Sequence, residues 1–282
     1  MKCIVMKWLP WSWKTTWANQ QKGYKVLSTD VLRWTWEKQI KEALLKERQK
    51  DWILENKDSN IIIDQTNANI QTLWSLMSFC SKHFDTCLIE DMEYHFESRE
   101  EYYKQSSIRN MQRESWKVAQ SVIDLMYLQM FPQKDIRYII CDLDGTIAKM
   151  GRKRSQYLNK KNYDMFYGDE ILNDEPIKNT IELLQIIKKQ WIRVIIVSGR
   201  SNICCPQTIE RLHTHDVPYD YLLMRNSWDK RPDAVVKKEI MIKANLRPDD
   251  CIWVFDDRTV VVDMRRGEWF FVFDVNQTRE VF

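Results

Sequence analysis

Short apolar runs, each closed by a polar or acidic residue, set the rhythm of the first part of the chain. Lys2-Cys-Ile-Val-Met-Lys7, Lys25-Val-Leu-Ser28, Asn60-Ile-Ile-Ile-Asp64 and Thr86-Cys-Leu-Ile-Glu90 are too short for buried helices, so each predicts a strand. Between them, residues 37–56 and Ser98 to about Met130 carry helical, charged patterns. Phe131-Pro132-Gln133-Lys134-Asp135 then puts a proline among polar residues, which marks a joint. Beyond it the rhythm resumes. Ile139-Ile140-Cys141, entered from Arg137-Tyr138, and then Val194–Val197 and Ile252–Phe255 predict strands, and residues 176–190 an amphipathic helix. Strands alternating with helices predict an α/β fold of mainly parallel sheets flanked by helices. A chain of 282 residues is comfortable for two such domains, expected at 1–132 and 133–282.

Composition adds three things. A net charge of +3 does not by itself mark a nucleic-acid binder, so any basic surface must be local. The seven cysteines (Cys3, Cys80, Cys87, Cys141, Cys204, Cys205, Cys251) lack the paired spacing of a zinc site and mostly sit in apolar runs, which fits a reducing cytoplasm. With no secretory segment and no apolar stretch long enough to span a bilayer, a soluble cytoplasmic protein with no membrane partner is expected. The third point is an imbalance: 13 Trp against 6 Gly, where ordinary usage would give about twenty glycines.

The candidate chemistry starts where the Ile139–Cys141 run stops, at Asp142-Leu143-Asp144-Gly145-Thr146. Residues i and i+2 of a strand share a face, so two carboxylates leave the strand end side by side. Such a pair needs a cation between its members or a proton on one of them. Both arrangements suit phosphoryl transfer, with Asp142 as nucleophile, Mg2+ against the phosphate oxygens and Asp144 as acid toward the leaving alkoxide. The remaining parts follow in order: Ser198-Gly199-Arg200 after one strand, Lys237 in Asp233-Ala-Val-Val-Lys237, and Asp256-Asp257 after another. Strand carboxyl ends are where open α/β sheets bind ligands. Taken alone, an Asp-x-Asp pair is weak evidence, since most such pairs are solvated loop residues. Together, over about residues 137–275, these parts resemble the haloacid-dehalogenase-like phosphatase superfamily.

The first strand leads into Trp8-Leu-Pro-Trp11-Ser12-Trp13-Lys14-Thr15. A phosphate-binding loop has the pattern G-x-x-x-x-G-K-[ST] between strand and helix, because its amides must approach the phosphates with no side chain between. Lys14 is placed for the β- and γ-phosphates of ATP, Thr15 for Mg2+ and Ser12 for the cradle, yet Trp8, Trp11 and Trp13 stand where glycine belongs. Indoles would fill the cradle and oppose positive φ. The imbalance fits a gene that uses UGA for glycine, written here with UGA as tryptophan. Trp191, Trp228 and Trp269, all in turn-like surroundings, fit the same idea, whereas Trp17 reads as genuine. The competing reading is a degenerate, inactive loop.

Further along, Asp30 could act as base toward a hydroxyl and Arg33 hold its phosphate, although position suits Asp30 equally as a helix N-cap. Asp64 is a water-mediated Mg2+ candidate or a helix cap, and Arg109 and Arg113 form either a lid over ATP phosphates or surface ion pairs. This set, followed by the phosphatase elements, is similar to the phage-type polynucleotide kinase/phosphatase over nearly the whole chain. The resemblance implies a P-loop kinase domain followed by a haloacid-dehalogenase-like domain. It implies that Lys14 and Thr15 bind ATP and Mg2+ and that Asp30 is general base for a 5'-hydroxyl. Arg33 would contact the acceptor, and Arg109 and Arg113 would clamp the donor. Arg152, Arg200 and Asp233 would serve the phosphatase. Lys237 would neutralise phosphate and Asp142, and Mg2+ would sit on Asp142, the backbone carbonyl of Asp144, and Asp256 or Asp257. Gln65 stands where the family often has an acid.

The expected function is healing of RNA or DNA ends: removal of a 3'-phosphate or 2',3'-cyclic phosphate and ATP-dependent phosphorylation of a 5'-hydroxyl, with formation of a homo-oligomer left open. The alternatives are a small-metabolite phosphatase with a vestigial nucleotide-binding domain, and a non-catalytic module that binds nucleic-acid ends through Met150-Gly-Arg-Lys-Arg154.

Overall fold

The computed structural model describes residues 1–10, 13–35, 38–39, 42–113, 117–159 and 163–276, which form two compact units, Met1–Val118 and Ala119–Phe282. In the first unit the order is β1 (Lys2–Lys7), α1 (Lys14–Gln20), β2 (Lys25–Ser28), α2 (Thr29–Arg33), a short antiparallel pair β3 (Trp34–Thr35) and β4 (Lys38–Gln39), α3 (Glu42–Glu55), β5 (Ile61–Asp64), α4 (Ile70–Cys80), β6 (Thr86–Asp91) and α5 (Arg99–Met111). Four strands make a parallel sheet in the order β2-β5-β1-β6, with Cys3 opposite Ile61 and Val5 opposite Ile63. All four residues of β5 are buried. A parallel sheet covered on both faces has no wet side, so its strands read as continuous apolar runs. Ile53 of α3 and Leu73 and Leu76 of α4 pack into the core with Cys3, Val5, Ile61 and Ile63. Asn69 caps α4, accepting from the amides of Gln71 and Thr72.

Two helical expectations need correction. Residues 37–56 begin as strand at Lys38–Gln39, and the helix starts at Glu42. The stretch from Ser98 to Met130 is two helices, because the Asn110 side chain donates to the Val118 carbonyl (2.7 Å) and accepts from its amide (2.9 Å), turning the chain. The second of these helices, α6 (Gln120–Met130), belongs to the second unit, where Asp124 accepts from the amide of Leu222 at 2.8 Å. The division between units therefore falls before α6, upstream of the joint expected at 131–135.

The second unit continues with β7 (Tyr138–Cys141), β8 (Ala148–Lys149), α7 (Arg152–Asn159), α8 (Tyr163–Phe166), β9 (Glu175–Pro176), α9 (Lys178–Lys188), β10 (Arg193–Ser201), α10 (Cys205–Thr214), β11 (Tyr221–Arg225), α11 (Asp233–Lys243), β12 (Cys251–Asp256), α12 (Thr259–Gly267) and β13 (Val272–Asp274). Its five-stranded sheet runs β11-β10-β7-β12-β13, all parallel, with β7 central and wholly buried. Ala148 of β8 lies opposite Pro176 of β9 in a separate antiparallel pair. Both units thus have the α/β architecture of parallel sheets flanked by helices. Among the described residues, no helix is long and apolar enough to cross a membrane.

Backbone torsions single out some tryptophans. Among the described residues, the non-glycine positions with positive φ are Asn67, Asp135, Asp216, Asn245, Trp13, Trp191 and Trp269. Asn and Asp visit this region readily, whereas a bulky side chain there is costly. Asp216, Asn245 and Trp269 follow α10, α11 and α12 in the same way, with Val217 donating to Leu212, Leu246 to Met241 and Phe270 to Arg265. That is the Schellman closure, which favours glycine at the left-handed position. Trp191 follows α9 and has φ 59°. Trp191 is 95% exposed and Trp269 88%, so neither residue gains burial in exchange for its strain. Trp228 is exposed too, but is not among the positive-φ residues.

Candidate active site

The second unit brings its reactive groups to the carboxyl edge of the sheet. Asp142 follows β7 and is fixed by its amide, which donates to the Phe255 carbonyl of β12 at 2.9 Å. Lys237, from α11, is 1% exposed and lies 2.7 Å from Asp142 Oδ1, 3.3 Å from Asp256 Oδ2 and 3.4 Å from Asp233 Oδ2. Burial works against its charge, but these three acids hold the lysine charged well above its usual range. Oxygens of Asp142, Asp256 and Asp257 lie within 4.8 Å of one another. Two glycines permit this crowding: a Cβ on Gly145 would fall 1.9 Å from Asp257 Oδ2, and one on Gly199 2.1 Å from Asp233 Oδ1.

The acid group fits a divalent cation on its own terms. Burial, and then the neighbouring Asp256, push Asp257 up to about 6. Burial likewise pushes Asp142 well above the carboxylate range, against the pull of Lys237. Asp257 Oδ1 is buried with no hydrogen-bond partner. Carboxylates in excess of the available cations, with a free oxygen turned inward, are the donor set that Mg2+ takes.

Asp144 stands apart from that group. Its carboxylate accepts from Arg200 (Nε to Oδ2 2.8 Å, a terminal nitrogen to Oδ1 2.6 Å) and from Arg154 (2.8 Å). Burial opposes the charge, but the two guanidiniums outweigh it and hold the carboxyl well below the usual range. Both arginines also bond the buried Asp174, at 2.6 and 2.5 Å. Arg152, expected here, is exposed at the start of α7, and the arginine that reaches Asp144 is Arg154. Ser198, fully buried, accepts from the Arg200 amide at 3.1 Å. Asp233 is held by Arg225 (2.9 Å) and Arg258 (3.1 Å) as well as by Lys237.

In the first unit, α1 begins at Lys14, whose Nζ lies 3.0 Å from Asp64 Oδ1 and 3.8 Å from Asp30 Oδ2. Thr15 donates to Asp64 at 2.7 Å. Asp64, at the end of β5, is thus tied to the loop, and the cap of α4 is Asn69. Asp30 is in the first turn of α2 and largely exposed. A cavity of about 350 Å³ is lined by Trp13, Lys14, Thr15, Asp30, Arg109 and Arg113 among others. Trp13 enters α1 with φ 53° and no side-chain cap, its indole stacks on Phe96, and Arg109 lies 4.0 Å from the indole centroid. The Trp8 indole is fully buried and donates to the Glu90 carbonyl. Trp11 and Ser12 lie outside the described residues, as does the side chain of Arg33.

The model of the polynucleotide kinase PNKP phosphatase domain matches residues 136–279, just over half of the chain. The chain belongs to this family. Its second unit is therefore a phosphatase domain of the haloacid-dehalogenase type, a type that works with Mg2+. This PNKP-family chain is 25% identical to a candidate bifunctional polynucleotide kinase/RNA ligase of Autographa californica nuclear polyhedrosis virus, over 93% of its own length and 40% of the relative's, so it spans less than half of that protein. Among solved structures it is similar to a chain of the Pnkp1/Rnl/Hen1 complex (22% identity, TM-score 0.43, 97% of this chain and 96% of the other). Another similar structure is a haloacid dehalogenase-like family hydrolase from Streptococcus pneumoniae (12% identity, TM-score 0.39, 49% and 84%).

Two members of the PNKP phosphatase cluster escape a reading of the sequence. Arg154 is visible only as part of a basic run, and Asp174 carries no signal at all, because it reaches the site through the two-residue pair of β8 and β9.

Proposed function

We propose that the chain heals nucleic-acid ends. The second unit would remove 3'-phosphate from RNA or DNA and, on RNA alone, act on a 2',3'-cyclic phosphate once water has broken its P–O2' bond to leave the 3'-phosphate. The observation that carries this is the seating of Asp142 against the buried Lys237 beside an acid group with a free inward oxygen. An Asp142 oxygen attacks phosphorus, the bond from phosphorus to O3' breaks, and the leaving alkoxide takes a proton from Asp144. Water then attacks the aspartyl-phosphate, gives its proton to Asp144, and phosphate leaves. The contacts from Arg154 and Arg200 favour the carboxylate form of Asp144 that this second half uses, while the first half needs the same group protonated. Ser198, Arg200 and Lys237 would hold the phosphate, and Asp233 would orient Lys237. Asp142, the Asp144 carbonyl and one or both of Asp256 and Asp257 would hold Mg2+, which supplies charge neutralisation at the phosphate. Turnover of a 3'-phosphorylated oligonucleotide should exceed that of sugar phosphates by orders of magnitude at equal concentration, and a preference for sugar phosphates would select the metabolite reading instead.

For the first unit the reading is an ATP-dependent 5'-hydroxyl kinase, in a chain whose residues 8, 11 and 13 are glycine. Lys14 and Thr15 gathered on Asp64, with Asp30 and two arginines around one cavity, support it. The left-handed torsions of Trp13, Trp191 and Trp269 support UGA decoded as glycine, since three indoles occupy backbone that glycine adopts freely. UGG at those codons would end this reading. Calorimetry offers a second check: the printed chain should show no ATP binding, and the triple glycine variant should show it in Mg2+. The free thiols throughout fit action in a reducing cytoplasm.

A further inference from the structure

We propose that Asp174 is a positioning residue for the phosphatase reaction, acting through Arg154 and Arg200 on Asp144. Asp174 is fully buried, between two arginines that are 1% and 2% exposed. Its Oδ2 accepts from Arg154 at 2.5 Å and from Arg200 at 2.6 Å, while Oδ1 accepts from the Gly151 amide at 3.0 Å. The same two guanidiniums grip Asp144, the one carboxylate of the four-membered cluster that is partly exposed, at 29%. Two cations and two anions therefore form a closed square with one corner facing the reaction. Buried charges of this kind persist only when each is paired. Arg154 otherwise reaches the Phe166 carbonyl and ring, and its second terminal nitrogen is buried without a hydrogen-bond partner. Without the Asp174 charge, both guanidiniums fall on Asp144 alone and draw its carboxylate back from the leaving oxygen. With it, the arginines are shared, and Asp144 is oriented rather than sequestered.

The inference rests on Asp144 being the acid and base of the proposed cycle. It predicts a defect that depends on the leaving group. An alkoxide needs a proton to depart, whereas the p-nitrophenolate of p-nitrophenyl phosphate does not. Asp174→Asn in the full chain should therefore lower kcat on a 3'-phosphorylated oligonucleotide by roughly 100-fold with KM changed less than about threefold, and lower kcat on p-nitrophenyl phosphate only severalfold. Asp174→Glu, which keeps the charge, should recover part of the lost oligonucleotide turnover. Equal losses on both substrates in the two variants, including total loss through misfolding, would overturn the proposal. Asp144→Asn separates the two claims. If it shows no selective loss, the acid reading fails; if it does and Asp174→Asn does not, only the role of Asp174 fails.

Discussion

Gly145 and Gly199 set how closely the acids of the phosphatase site can stand, because a methyl group at either would overlap a carboxylate. Gly145 carries a second demand, φ +83°, which costs an alanine about 1 kcal/mol before any clash. Gly145→Ala should displace Asp257, raise the Mg2+ concentration needed for half-maximal rate and lower turnover by about 100-fold, since ångström-scale misplacement costs that much. Phosphate release across a Mg2+ titration reads both effects, and unchanged values would mean that Asp257 is not a ligand. The residues that can be found from sequence, Asp142, Asp144, Ser198, Lys237, Asp256 and Asp257, each end an apolar run or keep a fixed step from one. Arg154 and Asp174 cannot be found that way. Their meeting depends on where the chain goes between Lys149 and Glu175, and two-residue strands carry no periodicity.

At the scale of elements, the central strands were legible, since burial on both faces leaves no choice but continuous apolar residues, but β11 and β13 were not expected, and β10 runs on through Ser198 and Arg200 to Ser201. Helix ends were less so. The start of α3 and the break between α5 and α6 depend on pairing of β3 with β4 and on one asparagine amide, neither of which leaves a compositional trace. The C-terminal caps yield a prediction. Trp191→Gly and Trp269→Gly should each raise Tm by roughly 2–4 °C, because glycine removes the left-handed penalty and no buried contact is lost. Trp8→Gly should instead lower Tm in the printed chain, where that indole is fully buried and bonded to Glu90. Differential scanning calorimetry decides; a fall in Tm for the two cap variants would remove the structural support for glycine at those positions.

At the scale of the whole molecule, each unit holds its own set of groups, so the phosphatase and the proposed kinase should separate. Asp142→Asn should abolish phosphatase turnover and leave kinase turnover of the glycine form unchanged; loss of both would argue for a shared site. Stability should also report the acid group. A carboxyl raised from 3.8 to about 6 stabilises the fold fully below 3.8, and that contribution is lost as pH rises through about 6. In metal-free buffer, therefore, lowering the pH from 7 to 5 should raise the Tm of the second unit, and Mg2+ added at pH 7 should raise it as well. A Tm insensitive to both would sink the metal assignment. The small clasp of Ala148 against Pro176 has its own corollary. The chain leaves the sheet and comes back at the same spot, so the excursion behaves like a cassette with pinned ends. Lengthening a turn inside it would cost little in closure entropy, whereas Arg154 and Asp174, which it carries into the buried cluster, leave no such freedom at its base.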